Sequence, residues 1–148
     1  MNESPTYLPL LNAAAANEAA NATLFTAWAA NTRDAAARAM LHTVALREAD
    51  HAIAFARRID ELGFAVIERD EPTLAERVAV ASSPDLGDRV KFERLGFGAP
   101  RKDVFGSLFA DVTIDIQTAS LLGRYIATER DSARRIDAAY AALVAAGD

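Results

Sequence analysis

The stretch Met40-Leu41-His42-Thr43-Val44-Ala45-Leu46-Arg47-Glu48-Ala49-Asp50-His51-Ala52-Ile53-Ala54-Phe55-Ala56 decides the fold class. Its apolar residues recur at spacings of three and four, and the row continues downstream as Leu41, Val44, Glu48, His51, Phe55, Ile59 and Leu62. That period belongs to an α-helix burying one face. The spacing predicts a helix from about Arg33 to Leu62, with Asn31-Thr32 as a capping hinge and Gly63 as a left-handed C-cap. Upstream, Leu8 to Asn31 reads as another helix, with Pro9 in its first turn. Its core row is Leu11, Ala14 with Ala15, Glu18, Ala22, Phe25 and Ala29. Helices joined so tightly form an antiparallel hairpin.

Downstream the pattern weakens between Phe64 and Pro100. Glu71-Pro72 and Ser83-Pro84 look like helix starts, which predicts short helices over about 73–82 and 85–95. From Arg101 to Ala146 there is no Pro and no turn cluster. Leu108, Asp115, Leu122, Glu129, Ile136 and Leu143 recur every seven residues, beside Phe105, Val112, Ala119, Ile126, Ala133 and Tyr140. A phase this steady favours a single long helix of roughly 65–70 Å over a break near Gln117–Gly123. The overhang of such a helix would be covered by another chain, so a homodimer or higher homo-oligomer is expected. The whole chain, 1–148, reads as a single all-α domain.

Composition removes several functions. Cysteine is absent, which excludes disulfides, thiol catalysis, thiolate-bound zinc and iron–sulfur clusters. A net charge of −5 without a basic cluster argues against nucleic acid as a partner. The uncharged run Ala19 to Thr32 is too short and too rich in Asn and Thr to span a bilayer, so no membrane is expected. No basic residue precedes Leu8, and Asn12, Asn17 and Glu18 interrupt the early apolar stretch, so no signal peptide is read and a cytoplasmic location is expected.

The polar residues on the apolar rows carry the chemistry. Glu18 sits mid-row in the first helix, Glu48 and His51 are neighbours on one face of the second, and Asp115 and Glu129 lie on the last stripe. Burying an unpaired carboxylate costs several kcal/mol, and no Lys or Arg falls on these rows. A divalent cation is the simplest partner. Carboxylates with an imidazole suit iron, manganese or zinc. A metal-free alternative pairs a protonated His51 with Glu48 or Glu18.

The quoted segment resembles the second helix of ferritin-like di-metal carboxylate proteins, rubrerythrin and bacterioferritin included. Those proteins use a Glu from each of two helices and Glu-x-x-His from each of two others. The resemblance implies a ferritin-like bundle in which Glu18, Glu48, His51 and Glu129 ligate two metal ions, most naturally iron, with Glu48 bridging. It also implies oxidase, peroxidase or ferroxidase chemistry with O2, peroxide or ferrous iron. Two positions depart from that pattern. Ser132 stands where the last-helix histidine would be, which keeps a single-metal site open. The third-helix Glu lacks a clean counterpart, Asp115 being the first candidate and Asp111 and Glu93 the next. Asp115 is two heptads from Glu129, about 21 Å along a straight helix. These departures keep a second function in view, a metal-free ferritin-like scaffold acting through dimerisation or partner binding. A closed iron-storing cage is a third. Among the other residues, Tyr125 reads as a core tyrosine with a satisfied hydroxyl, His42 as a surface histidine and Trp28 as packing. Arg33, Asp34, Arg38, Asp60 and Glu61 read as a solvated face.

Overall fold

A computed structural model describes residues 3–148. Among them the chain is all-helical: α1 (Leu8–Ala30), α2 (Ala35–Glu61), α3 (Leu74–Ser82), α4 (Asp88–Arg94) and α5 (Ile116–Ala145), with a short 3-10 turn at Phe105–Phe109. The hairpin of α1 and α2 is the centre of the molecule. On it α3 packs against α1, α5 packs against α2, and α4 links α3 to α5. The α1 and α5 backbones stay apart and meet through interior side chains.

Local chemistry sets the hairpin. Thr32 Oγ1 donates to Trp28 O at 2.6 Å and Asn31 Nδ2 to Ala27 O at 2.8 Å, so this pair closes α1 instead of opening α2. The N-cap of α2 is Asp34, whose carboxylate accepts the Ala37 amide at 2.8 Å. At the other end Gly63 has φ +88°, and the Phe64 amide donates to Ile59 O at 3.1 Å. That is the left-handed closure the sequence predicts.

The C-terminal region departs from expectation. The last helix begins at Ile116, not near Arg101, and runs unbroken through Gly123 for 30 residues, about 45 Å. The cause is Asp115. Its backbone is extended, and its side chain accepts the Thr118 amide at 2.9 Å, capping α5. Just upstream Asp111 accepts the Thr113 amide at 2.9 Å and turns the chain. Val112, a member of the predicted companion row, is 95 % exposed. The long overhang that suggested a covering chain is therefore absent.

Apolar packing falls into two clusters along the bundle. One surrounds Trp28, which stacks on Phe25 at 5.6 Å and meets Phe92 edge-on at 4.7 Å. The other gathers Leu11, Ala15, Phe55, Ile59 and Leu122. Beside the first, α4 locks the α1–α2 turn. The buried Asp88 carboxylate accepts the Arg33 amide at 3.1 Å and the Asp34 amide at 2.7 Å, and buried Lys91 Nζ donates to Asn31 O at 2.7 Å. Burial lowers the Lys91 pKa, against the field of Asp88. Hydrogen bonds to a charged group contribute about 1.5–3 kcal/mol. Asp88→Ala should therefore cost about 2–3 kcal/mol and lower the melting temperature by several degrees, with Asp88→Asn between it and the native chain. An unchanged melting curve for Asp88→Ala would show that the turn does not need this lock.

Candidate metal centre

Between the two apolar clusters lies a polar layer. It is built by α1 through Glu18, by α2 through Glu48 and His51, and by α5 through Tyr125 and Glu129. Donor atoms of Glu18, Glu48, His51 and Glu129 all lie within 4.8 Å of one another. Glu18 and Glu48 are each 2 % exposed. The helical spacing read from the sequence is what aims them inward: each takes an apolar position on its own helix.

His51 Nδ1 lies 3.3 Å from Glu18 Oε2 and 3.3 Å from Glu129 Oε1. The Glu18 contact has hydrogen-bond geometry, whereas Glu129 Oε1 and Glu48 Oε2 are buried with no hydrogen-bond partner. Tyr125 donates its hydroxyl to Glu18 Oε1 at 2.9 Å and sets its ring edge-on to His51 at 4.9 Å. Its hydroxyl is satisfied, as a core tyrosine requires, but by a member of the cluster.

The electrostatics follow from this crowding. Burial, then the neighbouring Glu18 and Glu129 carboxylates, push the Glu48 pKa far above the carboxylate range. Burial pulls His51 down, but Glu129 and Glu18 outweigh it and raise its pKa to about 9. Burial, followed by the fields of Glu18 and Glu129, raises that of Tyr125. A single imidazolium cannot balance three carboxylates, and among the described residues no Lys or Arg forms an ion pair with any of them. In the metal-free protein a proton on Glu48 lowers the charge. A divalent cation would do the same with all the carboxylates ionised. The donor set fits such a cation, and the orphaned oxygens of Glu48 and Glu129 are unused lone pairs at the centre of the cluster.

Asp115 does not join this group. Burial works against its charge, but hydrogen bonds from Thr118 and Tyr7, together with Arg58, hold its pKa well below the carboxylate range. Its oxygens lie 2.5 Å from the Tyr7 hydroxyl and 3.0 Å from Arg58 Nη2. Asp111 bonds Thr6 and Thr113, and Glu93 pairs with Arg89 at 2.7 Å, so no candidate for a third-helix ligand reaches the centre. Ser132 is buried, and Arg47 Nη1 donates to its Oγ at 3.1 Å and to Asp131 at 2.8 Å. Sequence reasoning had no role for this Arg47 tie. Its signal was only that Arg47 adjoins Glu48 at the edge of the apolar face.

No family model matches the chain, and neither does any curated protein or solved structure. The site therefore stands on its own geometry.

The raised pKa values fix a pH dependence. Glu48 and His51 both bind protons more tightly in the folded chain, so their stabilisation is complete below the unfolded values, about 4.3 and 6.5. It is lost as pH climbs through the folded values. The melting temperature of metal-free protein should therefore fall from pH 5 to pH 9, and Glu48→Gln should flatten that slope. A melting temperature that rises over this range contradicts the assignment.

Proposed function

We propose that this protein is a ferritin-like non-haem metal carboxylate protein whose centre is formed by Glu18, Glu48, His51 and Glu129. The supporting observation is the convergence, out of water, of three carboxylates and one imidazole with two oxygens left unpartnered. Carboxylates and imidazole together suit iron, with manganese or zinc chemically acceptable. The finer reading is a di-metal, diiron centre that Glu18, Glu48, Glu129 and His51 would hold, and the ions would supply open positions for small molecules. Bound iron would supply the electrons for reducing O2 or peroxide, or would itself be oxidised as substrate.

The chain's own groups have definite tasks. The Glu48 and Glu129 oxygens accept the cation's charge, and His51 gives the one nitrogen donor. Tyr125 orients Glu18 through its hydroxyl and shields the layer from solvent together with Phe55 and Phe105, whose rings lie 5.0 and 5.9 Å from it. Arg47 fixes Ser132 at the position of the absent second histidine.

A second reading, a metal-free scaffold working through self-association or partner binding, draws support from that same Arg47–Ser132 tie and from exposed Leu46 and Ile53 on α2. One set of measurements separates the two. Protein purified from iron-supplemented cells should retain about two iron ions per chain. Added ferrous iron should raise the melting temperature, since ligand at 100 times its Kd contributes about 2.7 kcal/mol. The double variant Glu48→Ala/His51→Ala should lose both effects. Absence of bound iron, manganese or zinc, with no thermal gain and a double variant as stable as the native chain, would establish the scaffold reading instead. One ion per chain would remove the di-metal part alone.

A further inference from the structure

A cavity of about 480 Å³ opens directly beside Glu48 and Glu129. That volume is in the range of small-molecule sites. Phe25, Phe97, Val44 and Ile136 give it an apolar wall. Its charged groups sort into pairs and remainders. Asp103 is taken by Arg130 at 2.8 Å, Asp137 by Arg101 at 3.7 Å, and Arg134 by Asp131 at 3.6 Å. Arg101 also lies over the Phe97 ring, 4.3 Å from its centre. Arg77 and Lys102 line the cavity without a carboxylate partner, and Arg77 is held only by donating Nη2 to Leu95 O at 3.1 Å.

Arg77 has a second distinguishing feature. With Phe105, Asn21 and Glu129 it also lines a smaller cavity of about 270 Å³ that reaches Glu18 and Tyr125. Besides Glu18 and Glu129 of the cluster, that side carries Glu71, which accepts a hydrogen bond from Thr73. Arg77 thus stands between the two hollows, next to the cluster, with guanidinium donors unused by any carboxylate. A planar guanidinium offers parallel donors that match a carboxylate.

We propose that this cavity binds a monocarboxylate with an apolar body, its head on the guanidinium of Arg77 and its chain against Phe25, Phe97, Val44 and Ile136, as the organic substrate presented to the metal centre. The substrate role rests on the metal reading above. The cavity's affinity for the ligand does not, because Arg77 is not one of the proposed metal ligands. Arg77 and Lys102, the wall's two basic groups without a carboxylate partner among the described residues, favour an anion.

Octanoate is the probe, titrated calorimetrically into the full chain with and without iron, alongside 1-octanol. Octanoate should bind one per chain, at least about tenfold more tightly than octanol. Arg77→Gln should weaken octanoate by about tenfold or more while leaving octanol affinity, iron content and melting temperature near native, and Arg77→Lys should restore part of the loss. Ala133→Trp, which fills the cavity, should abolish binding of both, and covers the case in which Arg77→Gln fails to fold. Octanoate binding no tighter than octanol, or undiminished in Arg77→Gln and Ala133→Trp, overturns the site while leaving the metal reading intact. Octanoate binding by a chain that retains no metal overturns the substrate role instead.

Discussion

Everything in this molecule turns on like charge held away from water. Glu18, Glu48 and Glu129 converge on one imidazole in a layer between two apolar clusters. Each ion taken out of water carries an effective penalty of several kcal/mol. The apolar ends must hold the helices together while the middle opposes it. Trp28 and its aromatic neighbours do so at one end, and Phe55 with Leu11 and Leu122 at the other. The hairpin turn is fixed separately by Asp88 and Lys91, so the polar layer does not have to set the register of α1 against α2.

The arrangement of the remaining elements follows from a shortage of helix. Three long helices supply the cluster's side chains, and the side that a fourth would cover is built from α3, α4 and an irregular segment reaching to Asp115. A continuous helix packs its side chains into its neighbours and leaves few voids. Short helices joined by loops leave gaps, and the gap here adjoins Glu48 and Glu129. The same break leaves the cluster without a carboxylate from this side and opens a path to it. The missing carboxylate and the cavity thus have one structural cause.

The hairpin and the rows that carry the clustered carboxylates were legible because both are local. Helical periodicity placed Glu18, Glu48, His51 and Glu129 on inward faces, and Gly63 marked its own left-handed turn. The extent of the last helix was misread for an equally local reason. A sevenfold count accepted Asp115 and Val112 as stripe members, although Asp115 followed at three residues by Thr118 is also a capping arrangement, and capping prevails. Asp88, Lys91, Arg47 and Arg77 act on partners remote in sequence or on backbone carbonyls. No periodicity encodes such contacts, so their roles emerge only when the chain is folded. What the structure shows of the fold is an all-helical chain with a long C-terminal helix, and the third element is broken into short pieces.

On the proposed metal reading, proton and cation would compete for the same lone pairs in this layer. Burial and the neighbouring Glu18 and Glu129 carboxylates push the Glu48 pKa up, which favours a proton in the cluster. On the same reading, a divalent ion would need that carboxylate ionised, so its binding would release a proton and its apparent affinity would climb with pH. Ser132 carries no titrating group, and its hydroxyl is tied to Arg47. The proton balance of the centre therefore rests on Glu48 and His51. Both are carried on α2, the helix that packs against the two other helices contributing to the cluster.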